Sequence, residues 1–200
     1  PAVLTVSVHE SGRYLFPNSG FPEDAGGPDA PGSAVNLALP PEAGDDAYRA
    51  AMSQVVAPAV RAFAPEVIVA QCGVDHHHAD PLSHLRTTMS LYEELWESLL
   101  RLAGEQCGGR LVVLAGGGYD PCNAPPRAWA MLMLQMAGVP RPHDMPAAFA
   151  PLAASRGCPE PAADWLGEPD LGDVRARSAE AMPAVEQAIA DTLRESLLLG

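Results

Sequence analysis

The stretch PEVIVAQCGVDHHHAD, Pro65–Asp80, decides the fold. Its first half is a short apolar run closed by Gly73, the signature of a buried strand. Its second half places three histidines between two aspartates directly after that strand. RLVVLAGGGYD, Arg110–Asp120, repeats the arrangement: an apolar run, then glycines and a tyrosine. VLTVSV, Val3–Val8, supplies another short β-branched run. Between these runs the spacing becomes helical. A helix is expected over Asp46–Phe63, with Asp45 as N-cap and Tyr48, Met52, Val55, Val56, Val60 and Phe63 on one face. Pro58 predicts a kink or a change of turn there. Further helices are expected over 86–109, closed by Gly108 and Gly109, and over 126–139. Strands alternating with helices predict an α/β fold, a parallel sheet flanked by helices. In such sheets ligands bind beyond the carboxyl ends of the strands, which is where the histidine and glycine segments fall.

Composition narrows the function. The chain has 200 residues, 48% of them hydrophobic, enough for one domain with a small appendage. Its net charge of −13 argues against a nucleic-acid partner, which requires clustered Lys and Arg. No apolar run approaches the about 20 residues that span a bilayer, so no membrane partner is expected. The opening run lacks the basic-then-apolar order of a secretory signal. It also lacks a Met and starts directly on a strand, which suggests processing or a piece of something longer. Cys72, Cys107, Cys122 and Cys158 show no CxxC spacing, so reduced thiols in a cytoplasmic protein are expected.

The segment from His9 to Pro41, rich in Gly, Pro, Asp and Asn, reads as one long loop, with Tyr14, Phe16 and Phe21 packing part of it. Residues 1–140 form the expected catalytic-type unit. Residues 141–200 form a Pro/Ala-rich tail ending in a helix partly broken at Pro183.

Two segments carry candidate chemistry. Consecutive histidines in extended chain point to opposite sides, so His76, His77 and His78 do not easily meet one ion. Asp75 and Asp80 fit metal ligation or ordinary turn capping equally. The glycines of AGGGYD match neither GK[ST] nor GxGxxG, and phosphate binding is disfavoured by the negative charge. Tyr119 fits either a structural residue or a hydrogen-bond donor to an oxyanion.

Taken as ordered blocks, LTVSVHESGRYLFPNSG, VIVAQCGVDHHHADPLSHL and GGRLVVLAGGGYDPCNAPPRAWA resemble the zinc-dependent histone deacetylase family, in its bacterial acetoin-utilisation branch. The likeness runs from about Val3 to Trp129 and implies an arginase/deacetylase-like fold lacking its N-terminal portion. It implies metal-dependent hydrolysis of acetyl-lysine, with zinc or ferrous iron as cofactor. In the family pattern the metal ligand of this block is the Asp before Pro, here Asp80. Asp75 then supports the site, and the three histidines are bystanders. Tyr119 matches the transition-state tyrosine, Gly117 and Gly118 the glycines lining the acyl-lysine pocket, and Phe16 a channel wall. Ser7 and Val8 match residues that hold a potassium ion through oxygen atoms. Ser33 stands where the family has an aromatic, which puts a second monovalent-ion site in doubt.

The family's tandem-histidine base and its Asp-x-His ligand segment have no counterpart ahead of Val3. The resemblance therefore implies that the isolated chain is inactive, and that its partners are the missing N-terminal half and an acetylated protein or small acylated amine. A non-catalytic acyl-lysine-binding module, or a metal-binding module using the histidine run, is the alternative.

Overall fold

The computed structural model describes residues 2–158, 161–168 and 170–196. Among the described residues, four strands form two separate parallel ribbons. β1 (Thr5–Glu10) pairs with β2 (Ala34–Leu39), and β3 (Ile68–Cys72) with β4 (Leu111–Ala115). The registers place Val8 opposite Leu37, and Ala70 opposite Val113. The single sheet expected from sequence is thus divided: β1 and β3 each keep a free edge, and both line the groove between the ribbons.

The helices are α1 (Asp45–Ala51), a π-helical turn (Met52–Val56), α2 (Ala57–Phe63), α3 (Met89–Cys107), α4 (Ala124–Met136), α5 (Phe149–Ser155) and α6 (Gly172–Glu195). The change of turn expected at Pro58 occurs, but just ahead of it. Proline cannot donate a backbone hydrogen bond, and the wider π turn lies in the residues immediately before its ring. Pro183 does not break α6, which is continuous across it. The last residues of the expected terminal helix, 197–200, lie outside the described residues, as do 159, 160 and 169 of the tail.

Three further expectations are corrected. The long loop contains β2, because Val35, Leu37 and Leu39 alternate inward and are buried. Tyr14 and Phe16 do not pack it down; both are exposed. Asp45 is the first residue of α1 rather than its cap. Its carboxylate accepts the Thr88 N–H at 2.8 Å and the Thr88 hydroxyl at 2.7 Å, serving the start of α3 instead.

Two cores result. Val35, Leu37, Leu39, Tyr48 and Val55 pack with Val185 and Ile189 of α6. Val74, Met89, Tyr92, Trp96, Met131 and Trp165 form the second, around one face of β3–β4. The other face of that ribbon leaves Val69, Val112 and Leu114 exposed among the described residues. No helix of the described residues is long and apolar enough to cross a membrane.

Candidate active site

Both loops that follow β3 and β4 meet at the carboxyl ends of the strands. The Val74 N–H donates to the Gly117 carbonyl at 2.7 Å. The close approach explains the glycines. A Cβ on Gly116 would meet the Gly73 backbone at 2.7 Å, and one on Gly117 would strike the Asp75 carboxylate. Gly118 has φ +145°, and its Cβ would fall 2.6 Å from Val74.

Asp80 is 9% exposed and ties the loops together. Its Oδ1 accepts the N–H groups of Leu82 at 2.9 Å and Ser83 at 3.3 Å. Its Oδ2 accepts the Tyr119 N–H at 2.8 Å. A carboxylate offers about four lone-pair positions, so Oδ2 retains one for a cation. Burial raises the pKa of Asp75 above the usual carboxylate range, and the negative charges of Asp80 and Glu10 add to the shift. This donor set and local negative field suit a metal cation. They supply only part of the three protein ligands that a catalytic zinc usually takes.

The other expected site residues are placed less tightly. Ser7, Val8, Phe16, Asp75 and Gly117 border the groove of about 1060 Å³ between the ribbons, whereas Asp80 and Tyr119 lie outside its lining. Phe16 is 85% exposed, and Tyr119 is also exposed. The Ser7 hydroxyl bonds His9 Nδ1 at 2.9 Å, while His9 Nε2–H donates to the Gly20 carbonyl at 3.0 Å. The Val8 side chain is a hydrocarbon packed against the first core, which leaves its main-chain oxygen as the atom able to meet an ion.

The histidine run has a different use. His76 stacks on Tyr48 with ring centroids 4.3 Å apart, and its Nδ1 shares a 2.8 Å hydrogen bond with Thr87. Burial, helped by its neighbour His77, lowers its pKa to about 3, so it is a neutral core ring. His77 and His78 do converge, contrary to the extended-chain expectation, because the segment is folded into turns. Asp80 N–H donates to the His77 carbonyl at 2.9 Å, and His78 N–H to that of Thr87 at 2.9 Å. Both Nε2 atoms meet Glu168 Oε1, at 2.8 and 2.9 Å. Burial opposes charge on Glu168, yet the bonds from His77 and His78 prevail and hold its carboxyl at about 2. Burial also lowers the His77 pKa, so His77 donates as a neutral ring.

His77, His78 and Glu168 each offer a donor atom within 4.8 Å of the others, a spacing compatible with a metal. However, His77 Nδ1 accepts the Ala79 N–H at 3.2 Å, which puts the ring proton on Nε2, facing Glu168. Sequence reasoning missed Glu168 and Arg127. The buried Arg127 guanidinium donates to the carbonyls of Asp164 at 3.1 Å and Gly167 at 3.0 Å, and to Asn123 Oδ1. Neither residue has a local signal; Glu168 sits in a Pro- and Ala-rich tail.

The four cysteines are not all reduced: Cys122 and Cys158 form a disulfide, while Cys72 and Cys107 are free and buried. The pair is separated by 36 residues and meets only through the tail's return to the Tyr119 loop.

Among solved structures, an HDAC homolog from Aquifex aeolicus superposes with a TM-score of 0.71 at 24% identity, covering 90% of this chain and 50% of that one. An HDAC homolog complexed with SAHA gives a TM-score of 0.68, with the same 24% identity and the same coverage. These establish the α/β arrangement of parallel strands flanked by helices. Among curated proteins, the acetoin utilization protein AcuC of Bacillus subtilis is 42% identical over 150 residues, 73% of this chain and 38% of its own length. The AcuC of Staphylococcus xylosus is 35% identical over 135 residues, 68% of this chain and 35% of its own. The chain thus spans well under half the length of these relatives. The Histone deacetylase domain profile matches residues 1–136, which covers both strand ribbons and the loops carrying Asp80 and Tyr119, and on that match the chain belongs to the histone deacetylase domain family.

Proposed function

We propose that this chain supplies one metal ligand, Asp80, and the transition-state tyrosine, Tyr119, to a metal-dependent acetyl-lysine deacetylase of acetoin-utilisation type. The observation that carries the reading is the 2.8 Å hydrogen bond from Tyr119 N–H to Asp80 Oδ2, which joins loops of two different strands. Asp80 would hold a zinc or ferrous ion, which would supply Lewis-acid polarisation of the acyl carbonyl and of a water. The Tyr119 hydroxyl donates to the carbonyl oxygen as it gains negative charge. Water oxygen adds to the carbonyl carbon, the C–N bond breaks, and the proton passes to the leaving lysine amine. Gly117 and Gly118 form part of the wall along which the extended acyl-lysine lies, their own Cβ space being filled by Asp75 and Val74. Phe16 walls the channel, and Asp75 supports the site. Ser7 and Val8 offer oxygens to a structural potassium ion.

Two features support a requirement for more polypeptide, the N-terminal half of the domain. The free edges of β1 and β3 face one groove, and the apolar face with Val69, Val112 and Leu114 is bare among the described residues. Unpaired edges and exposed apolar faces of this kind favour association. The acylated substrate is a protein lysine or a small acylated amine, acted on in the cytoplasm.

The test is deacetylation of an acetyl-lysine peptide with added zinc, by the chain alone and co-expressed with the N-terminal half of the Bacillus subtilis relative. Turnover only on co-expression, abolished by Asp80→Asn and Tyr119→Phe, is the expected result. Turnover indifferent to both substitutions sinks the assignment.

A further inference from the structure

Glu168 lies beyond Met136, the last residue of the family match, yet its side chain is only 4% exposed and reaches the loop that carries Asp80. Oε1 receives Nε2–H from His77 and His78, and Oε2 accepts the N–H of Met89, the first residue of α3, at 2.8 Å. One buried carboxylate thus fastens two segments through three charge-assisted hydrogen bonds, each stronger than a neutral one.

The carboxylate is itself held from behind. Arg127 of α4 donates to the carbonyls of Asp164, Trp165 and Gly167, and Trp165 Nε1–H donates to the Asp144 carbonyl at 3.2 Å. The Cys122–Cys158 disulfide secures the same tail next to the Tyr119 loop. A closed circuit results. The tail fixes Glu168, Glu168 fixes His77, the His77 carbonyl accepts Asp80 N–H, and Asp80 Oδ2 accepts Tyr119 N–H.

We propose that Glu168 is a positioning residue: through His77 and His78 it sets the direction in which the Asp80 carboxylate faces the Tyr119 loop. The bearing of this positioning on catalysis rests on Asp80 being the metal ligand. It also gives the three adjacent histidines a purpose other than ligation. His76 anchors the loop in the core, and His77 and His78 latch it to the tail.

The experiment is residue-resolved amide hydrogen exchange on the chain as it stands, comparing Glu168→Ala and Glu168→Gln with the parent. Removing these charge-assisted bonds is expected to speed exchange at the Asp80 and Tyr119 amides about tenfold or more. Leu37 and Ala51 in the other core should keep their protection. Glu168→Gln retains one acceptor oxygen and should fall between, and it serves as the informative variant should Glu168→Ala not fold. Unchanged exchange at Asp80 and Tyr119, or loss in equal proportion across both cores, overturns the proposal and leaves Glu168 a general stabiliser. Zinc binding abolished by His77→Gln but kept by Asp80→Asn also overturns it, making the cluster a metal site. Exchange does not read turnover. A local effect at Asp80 in a chain that never supports deacetylation would remove the ligand role and preserve the positioning.

Discussion

Replacing His76 with phenylalanine should flatten the pH dependence of stability between pH 8 and 5. In the parent, burial holds the His76 pKa at about 3 against an ordinary value of 6.5. Below 6.5 the unfolded chain therefore takes up a proton that the folded state refuses, and stability falls as pH drops toward 3. At pH 5 the gap corresponds to about 1.5 pH units of unfolded-state protonation, or about 2 kcal/mol at 1.36 kcal/mol per unit. Phenylalanine keeps a ring against Tyr48 and loses the hydrogen bond to Thr87, a cost of about 1 kcal/mol that does not vary with pH. Urea unfolding at pH 8, 6.5 and 5 supplies the assay. The parent should lose about 2 kcal/mol more than His76→Phe over that range. His77 and His9, whose pKa values burial also lowers, contribute with the same sign in both proteins and cancel in the difference. Parallel pH curves would refute the placement of His76 as a neutral core ring.

Other outcomes follow from the same geometry. In the co-expressed enzyme, Tyr119→Phe should lower kcat by about 100- to 1000-fold, as removal of one oxyanion donor does, with peptide KM changed far less. Gly118→Ala should destabilise the chain by about 2 kcal/mol, because φ +145° and the Val74 contact both exclude a side chain; thermal unfolding checks it. Cys122→Ser with Cys158→Ser opens a closure across 36 residues and should cost about 4 kcal/mol, matched by reducing the parent with dithiothreitol. A parent indifferent to reductant would show that the bond adds nothing to stability.

Strands announced themselves in sequence where the apolar run was continuous, as in Ile68–Cys72 and Leu111–Ala115. β2 did not. AVNLAL does alternate, with Val35, Leu37 and Leu39 inward between Ala34, Asn36 and Ala38, but it is short and follows a Gly- and Pro-rich stretch that reads as loop; its pairing with β1 makes it a strand. Proline gave mixed signals. Pro58 correctly flagged a change of turn, whereas the helix accommodates Pro183, whose missing N–H forfeits a backbone hydrogen bond but leaves α6 continuous. The candidate site divides in the same way. Asp80, Tyr119 and the glycines stand out as candidates in sequence because they sit directly after strands and within ordered family blocks. The sequence by itself determined the alternation of strands and helices and the loops that bear those residues, since periodicity and turn residues act over a few positions. Only the tertiary structure decided that His76 is core, that His77 and His78 serve Glu168 some 90 residues away, and that Cys122 finds Cys158. A partner so distant in the chain imposes no local pattern. Its identity depends on which surfaces the folded backbone brings into contact, where a buried carboxylate must find donors or forfeit its charge.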